Sequence, residues 1–124
     1  NKELVDSVPP LLNSLFNPDN QRFLIDANRY KPVEEISKLD IPVLIVQGSN
    51  DIQIEIKDAQ LLHNAAKKSR IEIIQGMNHV FRQAPENRLL NMQTYGNPEL
   101  SIDNSLVNLL SLQKKLIKRS KLKI

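Results

Sequence analysis

Ile45-Val46-Gln47-Gly48-Ser49-Asn50-Asp51 and Ile73-Ile74-Gln75-Gly76-Met77-Asn78-His79 are two copies of one pattern set 28 residues apart, each an apolar stretch that stops at glycine and delivers a polar side chain three residues later. That side chain is a carboxylate once and an imidazole once. The first copy is preceded by Ile41, Pro42, Val43 and Leu44, so residues 43–46 form a continuous apolar run. A run without alternation argues for a strand covered on both faces, as parallel strands are, and proline belongs at the first position of such a strand. From about 55 to 68, Ala59, Leu62 and Ala66 beside Leu61 and Ala65 follow helical spacing. A strand over 43–47, this helix and a second strand over 71–75 make one right-handed βαβ unit. Parallel strands leave a sheet at the same edge, and the crevice beyond their carboxyl ends is where chemistry is usually placed. The pattern therefore predicts Asp51 and His79 side by side at that edge.

The flanks read as helical and irregular. Val8-Pro9-Pro10 breaks the chain, Leu11, Leu12, Leu15 and Phe16 form a short amphipathic turn, and Asn17-Pro18-Asp19 opens a helix through Phe23 and Leu24. Pro32, followed by Val33, Glu34, Glu35 and Ile36, starts another helix with acids at the positive end of its dipole. After His79 the sequence predicts a polar connection through Pro85, Asn97 and Pro98, then a helix from about 103 to 118. Leu106, Leu109, Leu110, Gln113, Leu116 and Ile117 give that helix one apolar stripe with a single polar interruption.

The chain has 124 residues, 40% apolar and 25% charged, which is ordinary for a globular domain or a piece of one. Two strands cannot cover their own faces and edges, so further strands are expected from an upstream part of the protein or from a second copy of the chain. Six of the 17 basic residues lie in 114–124, which holds no acid, leaving 11 basic against 14 acidic groups elsewhere. A basic last turn and tail complement a helix C-terminus and stay solvated, a reading placed ahead of membrane-surface or nucleic-acid contact. With aromatics at 4% and no Trp, no base-stacking platform is expected. The absence of cysteine removes disulfides, thiolate metal sites and cysteine nucleophiles, and fits a reducing, cytoplasmic setting.

A carboxylate that fixes the tautomer of a histidine is two thirds of a nucleophilic triad. The third part is missing, since Gly48, Gly76 and Gly96 are the only glycines and none flanks a serine as Gly-x-Ser-x-Gly. Ile41 to Asp51, followed by Asp58-Ala59 and Gly76-Met77-Asn78-His79, resembles the C-terminal part of an α/β-hydrolase, most like the serine-aminopeptidase and monoacylglycerol-lipase-like branch. Tyr30-Lys31-Pro32 to Ile36, leading to Leu39-Asp40-Ile41-Pro42, resembles the passage from the cap region to the acid-bearing strand of such enzymes. The resemblance implies a three-layer α/β/α domain of which 1–40 is a helical cap or linker segment and 41–124 the C-terminal α/β portion. It implies Asp51 as the acid, His79 as the general base, a serine nucleophile upstream, an ester or amide substrate and no cofactor or metal. The departure is that nucleophile elbow, oxyanion-hole loop and most strands are absent from these residues, so the chain alone is expected to be inactive.

Taken singly, Asp51 is a turn or helix cap and His79 a partly buried histidine with a backbone partner. The pair at matched offsets, in the order acid then histidine, is what favours catalytic ancestry. Asn50 and Asn78 read as turn formers, and Met77 and Phe81 as core or loop anchors ahead of acyl-pocket residues. His63, on the crossover helix beside Leu62 and Asn64, has no local metal partners. Two competing functions are a non-catalytic interaction module that pairs its open strand edges, and a phosphoacceptor or metal-dependent site at Asp51. The second lacks the further strand-end carboxylates and lysine that it needs.

Overall fold

The computed structural model describes residues 9, 10 and 16–121. In chain order these form α1 (Pro18–Ala27), α2 (Pro32–Ser37), β1 (Val43–Gly48), α3 (Ile56–Ala65), β2 (Ser69–Ile74), α4 (Arg88–Gln93) and α5 (Asn104–Lys121). The turn expected at Leu11, Leu12 and Leu15 lies outside the described residues. β1 and β2 are parallel and directly paired, with Val43 opposite Ser69 and Gly48 opposite Ile74. With α3 as the crossover, the βαβ unit read from the sequence is present and the architecture is mixed α/β. Among the described residues each strand has one ladder partner, so both outer edges are open.

Local chemistry explains the helix starts. Asn17 caps α1 by accepting the Asn20 N–H at 2.9 Å, with Pro18 at the first position. Pro32 opens α2, with Glu34 and Glu35 in its first turn. Glu55 and Asp58 cap α3 reciprocally, and the Asp58 carboxylate accepts the Glu55 N–H at 3.1 Å.

α3 ends at Ala65, short of the expected 68, because Ala66 adopts an extended conformation and closes the last turn on the Leu62 carbonyl at 3.0 Å. β2 starts at Ser69, earlier than expected, and its hydroxyl completes the turn. Ser69 Oγ donates to the His63 carbonyl at 3.0 Å and meets His63 Nδ1 at 2.7 Å. A hydroxyl has one hydrogen, so the ring nitrogen supplies the other and His63 carries its proton on Nδ1. His63 thus has a structural partner at the strand start, away from Asp51 and His79.

The core is small. Ile74, Met77 and Leu106 form its buried cluster with Val46 packed against them, and Ala59 on α3 is buried as well. α5 therefore meets the sheet through Leu106, followed by the half-buried Leu109 and Gln113. Leu110, Leu116 and Ile117, expected to belong to the same buried stripe, are each at least half exposed. The reason is geometric: α5 runs along the strands, from Leu106 beside Ile74 to Gln113 near Val43 and Ser69, and two strands about 4.8 Å apart cover only a narrow stripe of its surface.

A second departure lies in the connection after His79, which contains α4. Asn87 caps it by accepting the Leu90 N–H at 3.1 Å. Its pattern is inverted: Leu89, Leu90 and Met92 are exposed, and its one buried residue is Asn91. No helix among the described residues is long and apolar enough to cross a membrane.

Gly48 decides how the two strand ends meet. A Cβ there would overlap the Met77 carbonyl, which belongs to rigid backbone. Gly48→Ala should therefore cost about 3 kcal/mol, the upper end of an overpacking penalty, measured as a lowered urea midpoint with an unchanged slope. Wild-type stability in that variant would remove the close approach as a constraint.

Candidate functional site

The loops leaving β1 and β2 are joined from their first residues. Ser49 N–H donates to the Ile74 carbonyl at 3.0 Å, and Ser49 Oγ accepts the Gly76 N–H at 2.8 Å. Asn50 N–H donates to the Met77 carbonyl at 3.0 Å, the same oxygen that lies against Gly48. Gly76 turns the second loop with φ 75°, a region that suits glycine. The next side chains, Asp51 and His79, come together as the sequence predicted.

His79 Nδ1 lies 2.9 Å from Asp51 Oδ2. The other carboxylate oxygen, Oδ1, accepts the N–H groups of Gln53 at 2.8 Å and Ile54 at 3.0 Å. Burial pushes the Asp51 carboxyl up, but the two backbone donors and the His79 ring outweigh it, leaving the group below the ordinary carboxylate range. An ionised carboxylate can only accept, so the proton of the shared bond sits on Nδ1 and Nε2 is left as the acceptor. Exposure divides the pair: the Asp51 side chain is 7% exposed and that of His79 39%. The arrangement is a carboxylate held largely out of water behind an accessible imidazole. Among the described residues no hydroxyl is hydrogen-bonded to His79, and no group of three or more His, Cys, Asp and Glu could hold a metal.

Three asparagines hold the two loops. Asn78, 1% exposed, donates its amide to Asn91 Oδ1 at 3.2 Å and Thr94 Oγ1 at 2.7 Å. Its own Oδ1 accepts from Val80 N at 3.2 Å and Arg82 N at 3.1 Å. Asn91, 0% exposed, donates to the carbonyls of Asn50 at 2.8 Å and Pro85 at 3.0 Å. Asn50 donates to the Ala84 carbonyl at 2.7 Å. Asn50 and Asn78 are thus more than the turn formers expected from sequence: with Asn91 and Thr94 they form one network, buried at Asn78 and Asn91, linking the residues before Asp51 and His79 to α4.

The His79 loop is itself closed at its base, Asn78 N–H donating to the Arg82 carbonyl at 2.9 Å. Arg82 extends to the carbonyls of Thr94, at 2.9 Å, and Asn97, fastening the end of α4. Asp103 is buried at the start of α5. Its N–H donates to the Phe81 carbonyl at 2.8 Å, and its carboxylate accepts from Ser105 N at 2.7 Å and from the Gln83 amide. Burial pushes this carboxyl up, and the Gln83 and Ser105 hydrogen bonds bring it below its usual range.

Cavities open at both ends of the sheet. One of about 280 Å³ opens beside the acid loop, formed by Ile52, Gln53, Arg88, Met92 and Tyr95. Another, of about 460 Å³, lies at the opposite, starting ends of the strands around Pro42, Val43, Lys68 and Ser69, away from the Asp51–His79 pair.

No family model matches the chain, and no curated protein matches it. The site accordingly stands on its geometry. Sequence reading located Asp51 and His79 and missed Asn91, Thr94, Arg82 and Asp103. Only the spacing of Asn87 to Leu90, a cap with its first turn, could have pointed to α4 and hence to Asn91.

Two outcomes follow for this network. Asn91→Ala removes a fully buried amide and leaves the Asn50 and Pro85 carbonyls without their donor, so it should cost about 2–4 kcal/mol in urea unfolding and broaden or lose the Nδ1 proton signal of His79 in NMR. A stable variant with an unchanged signal contradicts that role. A depressed Asp51 pKa stabilises the fold above the ordinary carboxylate range and the gain is lost as pH falls through the folded value. The destabilisation by Asp51→Asn, followed by thermal unfolding, should therefore be largest near neutral pH and shrink in acid.

Proposed function

We propose that this chain carries the acid and the general base of a serine-dependent hydrolase that cleaves an ester or amide by acyl transfer. The observation that carries the reading is the 2.9 Å contact between a buried, doubly anchored Asp51 and the Nδ1 of an accessible His79. In this reading Nε2 takes the proton of a serine hydroxyl as its oxygen attacks the acyl carbon, and returns it to the departing alcohol or amine. Water then attacks the acyl-enzyme with the same ring as base. Asp51 keeps the ring in the required tautomer and stabilises its charged form.

The serine and the oxyanion donors are assigned to residues outside this chain, which then acts as the C-terminal portion of an α/β-hydrolase domain. Residues 1–40 are its cap or linker segment, and it works in the cytoplasm without cofactor, metal or nucleic acid. Fluorophosphonate labelling of the longest native polypeptide containing these residues tests this. An upstream serine should carry the adduct, and His79→Ala should slow labelling and turnover on the order of 10⁴-fold or more. A folded protein that takes no label sinks the proposal.

A second reading, a non-catalytic module that pairs with another copy or another polypeptide, is favoured by the two open strand edges and the outward Leu110, Leu112, Leu116 and Ile117 of α5. Both readings require those surfaces to be covered. The isolated chain should associate in size-exclusion chromatography with light scattering, and a compact, stable monomer would contradict both on this point. Association that survives His79→Ala while no serine reacts would select the module.

A further inference from the structure

We propose that Asp103 is a positioning residue for His79, gripping the returning limb of the histidine loop at the Phe81 carbonyl and the Gln83 amide so that the imidazole stands against Asp51. The inference rests on the reading of His79 as the general base.

The loop is a small hairpin with His79 near its tip. Its limbs pair Gly76 with Ala84, Met77 with Gln83, and Asn78 with Arg82. The outgoing limb is fixed to the loop after β1, since the Gly76 N–H donates to Ser49 Oγ and the Met77 carbonyl takes the Asn50 N–H. The returning limb needs a hold of its own. Phe81 lies in it at φ 61°, the one non-glycine residue with positive φ among the described residues. A bulky residue stays in that region only where its neighbours over-determine it. The Asp103 N–H supplies part of that constraint by donating to the Phe81 carbonyl at 2.8 Å.

The Asp103 side chain supplies more. Its Oδ1 accepts the Ser105 N–H at 2.7 Å and caps α5. Capping asks for that one oxygen alone, and a serine or asparagine in contact with water serves as well. Asp103 is instead 4% exposed, and burying a carboxylate is costly unless hydrogen bonds offset it. Its Oδ2 accepts from Gln83 Nε2. That nitrogen carries two hydrogens, and the other goes to the Gln75 carbonyl at 3.0 Å. Gln83 thus bridges the residue after β2 and the start of α5, with its Oε1 in the space that the absent side chain of Gly76 leaves. Both limbs are thereby held at their base, and His79 is carried between them. All of these partners belong to this chain.

The test uses the longest native polypeptide containing these residues, with two variants that separate capping from positioning. Asp103→Ser keeps an oxygen that caps α5 and has no second one for Gln83, whereas Gln83→Met keeps the length of that side chain and removes its amide. Each should broaden or abolish the Nδ1 proton signal of His79 in NMR and slow fluorophosphonate labelling about tenfold. The double variant should be no worse than either alone, as expected of residues that act through each other. Ala59→Gly, which loosens α3 away from the loop, should lower the urea midpoint and leave signal and rate as they are. A wild-type signal and rate in Asp103→Ser would reduce Asp103 to a cap and overturn the proposal. Additive losses in the double variant, or an equal response in Ala59→Gly, would overturn it too. Should Asp103→Ser fail to fold, Gln83→Met, at an exposed position, decides in the same way: an unchanged His79 signal there rejects the proposal. A changed His79 signal in both variants of a protein that takes no label would support the positioning role and count against the hydrolase reading alone.

Discussion

The Met77 carbonyl is the point on which the strand-end architecture turns. It lies against Gly48 so closely that no other residue fits there without displacing backbone, and it accepts the Asn50 N–H. Those two contacts bring the loop after β2 over the last residue of β1. Because the strands are parallel with Gly48 opposite Ile74, both loops leave at the same level, and the side chains three residues past each glycine can meet. The 28-residue separation in sequence is spanned by one helix and one strand.

What fixes the meeting is polar. The apolar cluster is small, whereas the loops are joined by side-chain amides, of which those of Asn78 and Asn91 are almost wholly removed from water. Each buried amide without its partners costs about 1–3 kcal/mol, so a network in which every member is satisfied defines one arrangement and penalises its neighbours. Among the described residues no buried side-chain nitrogen or oxygen lacks a partner. The second half of α5 shows the contrast, since Leu112 and Leu116 are more than half exposed among the described residues.

The sequence made legible what depends on periodicity and on offset from a strand end: the βαβ unit, and Asp51 with His79 at one edge. It left unread what depends on inverted or isolated polarity. Asn91 occupies the buried position of a helix whose leucines face outward, so a search for apolar spacing passes over it. Gln113 seemed to interrupt a stripe, yet it is half-buried where Leu110 and Leu116 are exposed, because the sheet is too narrow to reach them. The positive φ of Phe81 carries no signal in the residue type, which argues against it. Asn50 and Asn78 were visible as loop residues, but the partner they share, Asn91, lies on α4, an element the pattern did not reveal.

The plain account of Asp51 as a turn cap and the catalytic account divide between its two oxygens. Oδ1 takes the N–H groups of Gln53 and Ile54 and organises the turn, an arrangement any strand-end aspartate can make. Oδ2 is left to the imidazole. Capping needs neither a histidine on the neighbouring strand nor a carboxylate buried to 7% exposure behind a ring that is 39% exposed. The cap makes the carboxylate rigid and keeps it ionised, and a rigid anion on Nδ1 holds the ring in one tautomer with Nε2 outward. The turn organised by one oxygen thus holds the other in place against the imidazole. Asparagine could accept through the cap oxygen but would bring an amide, with no negative charge, to Nδ1. That difference in charge, more than any difference in shape, is the physical reason to place an aspartate at residue 51.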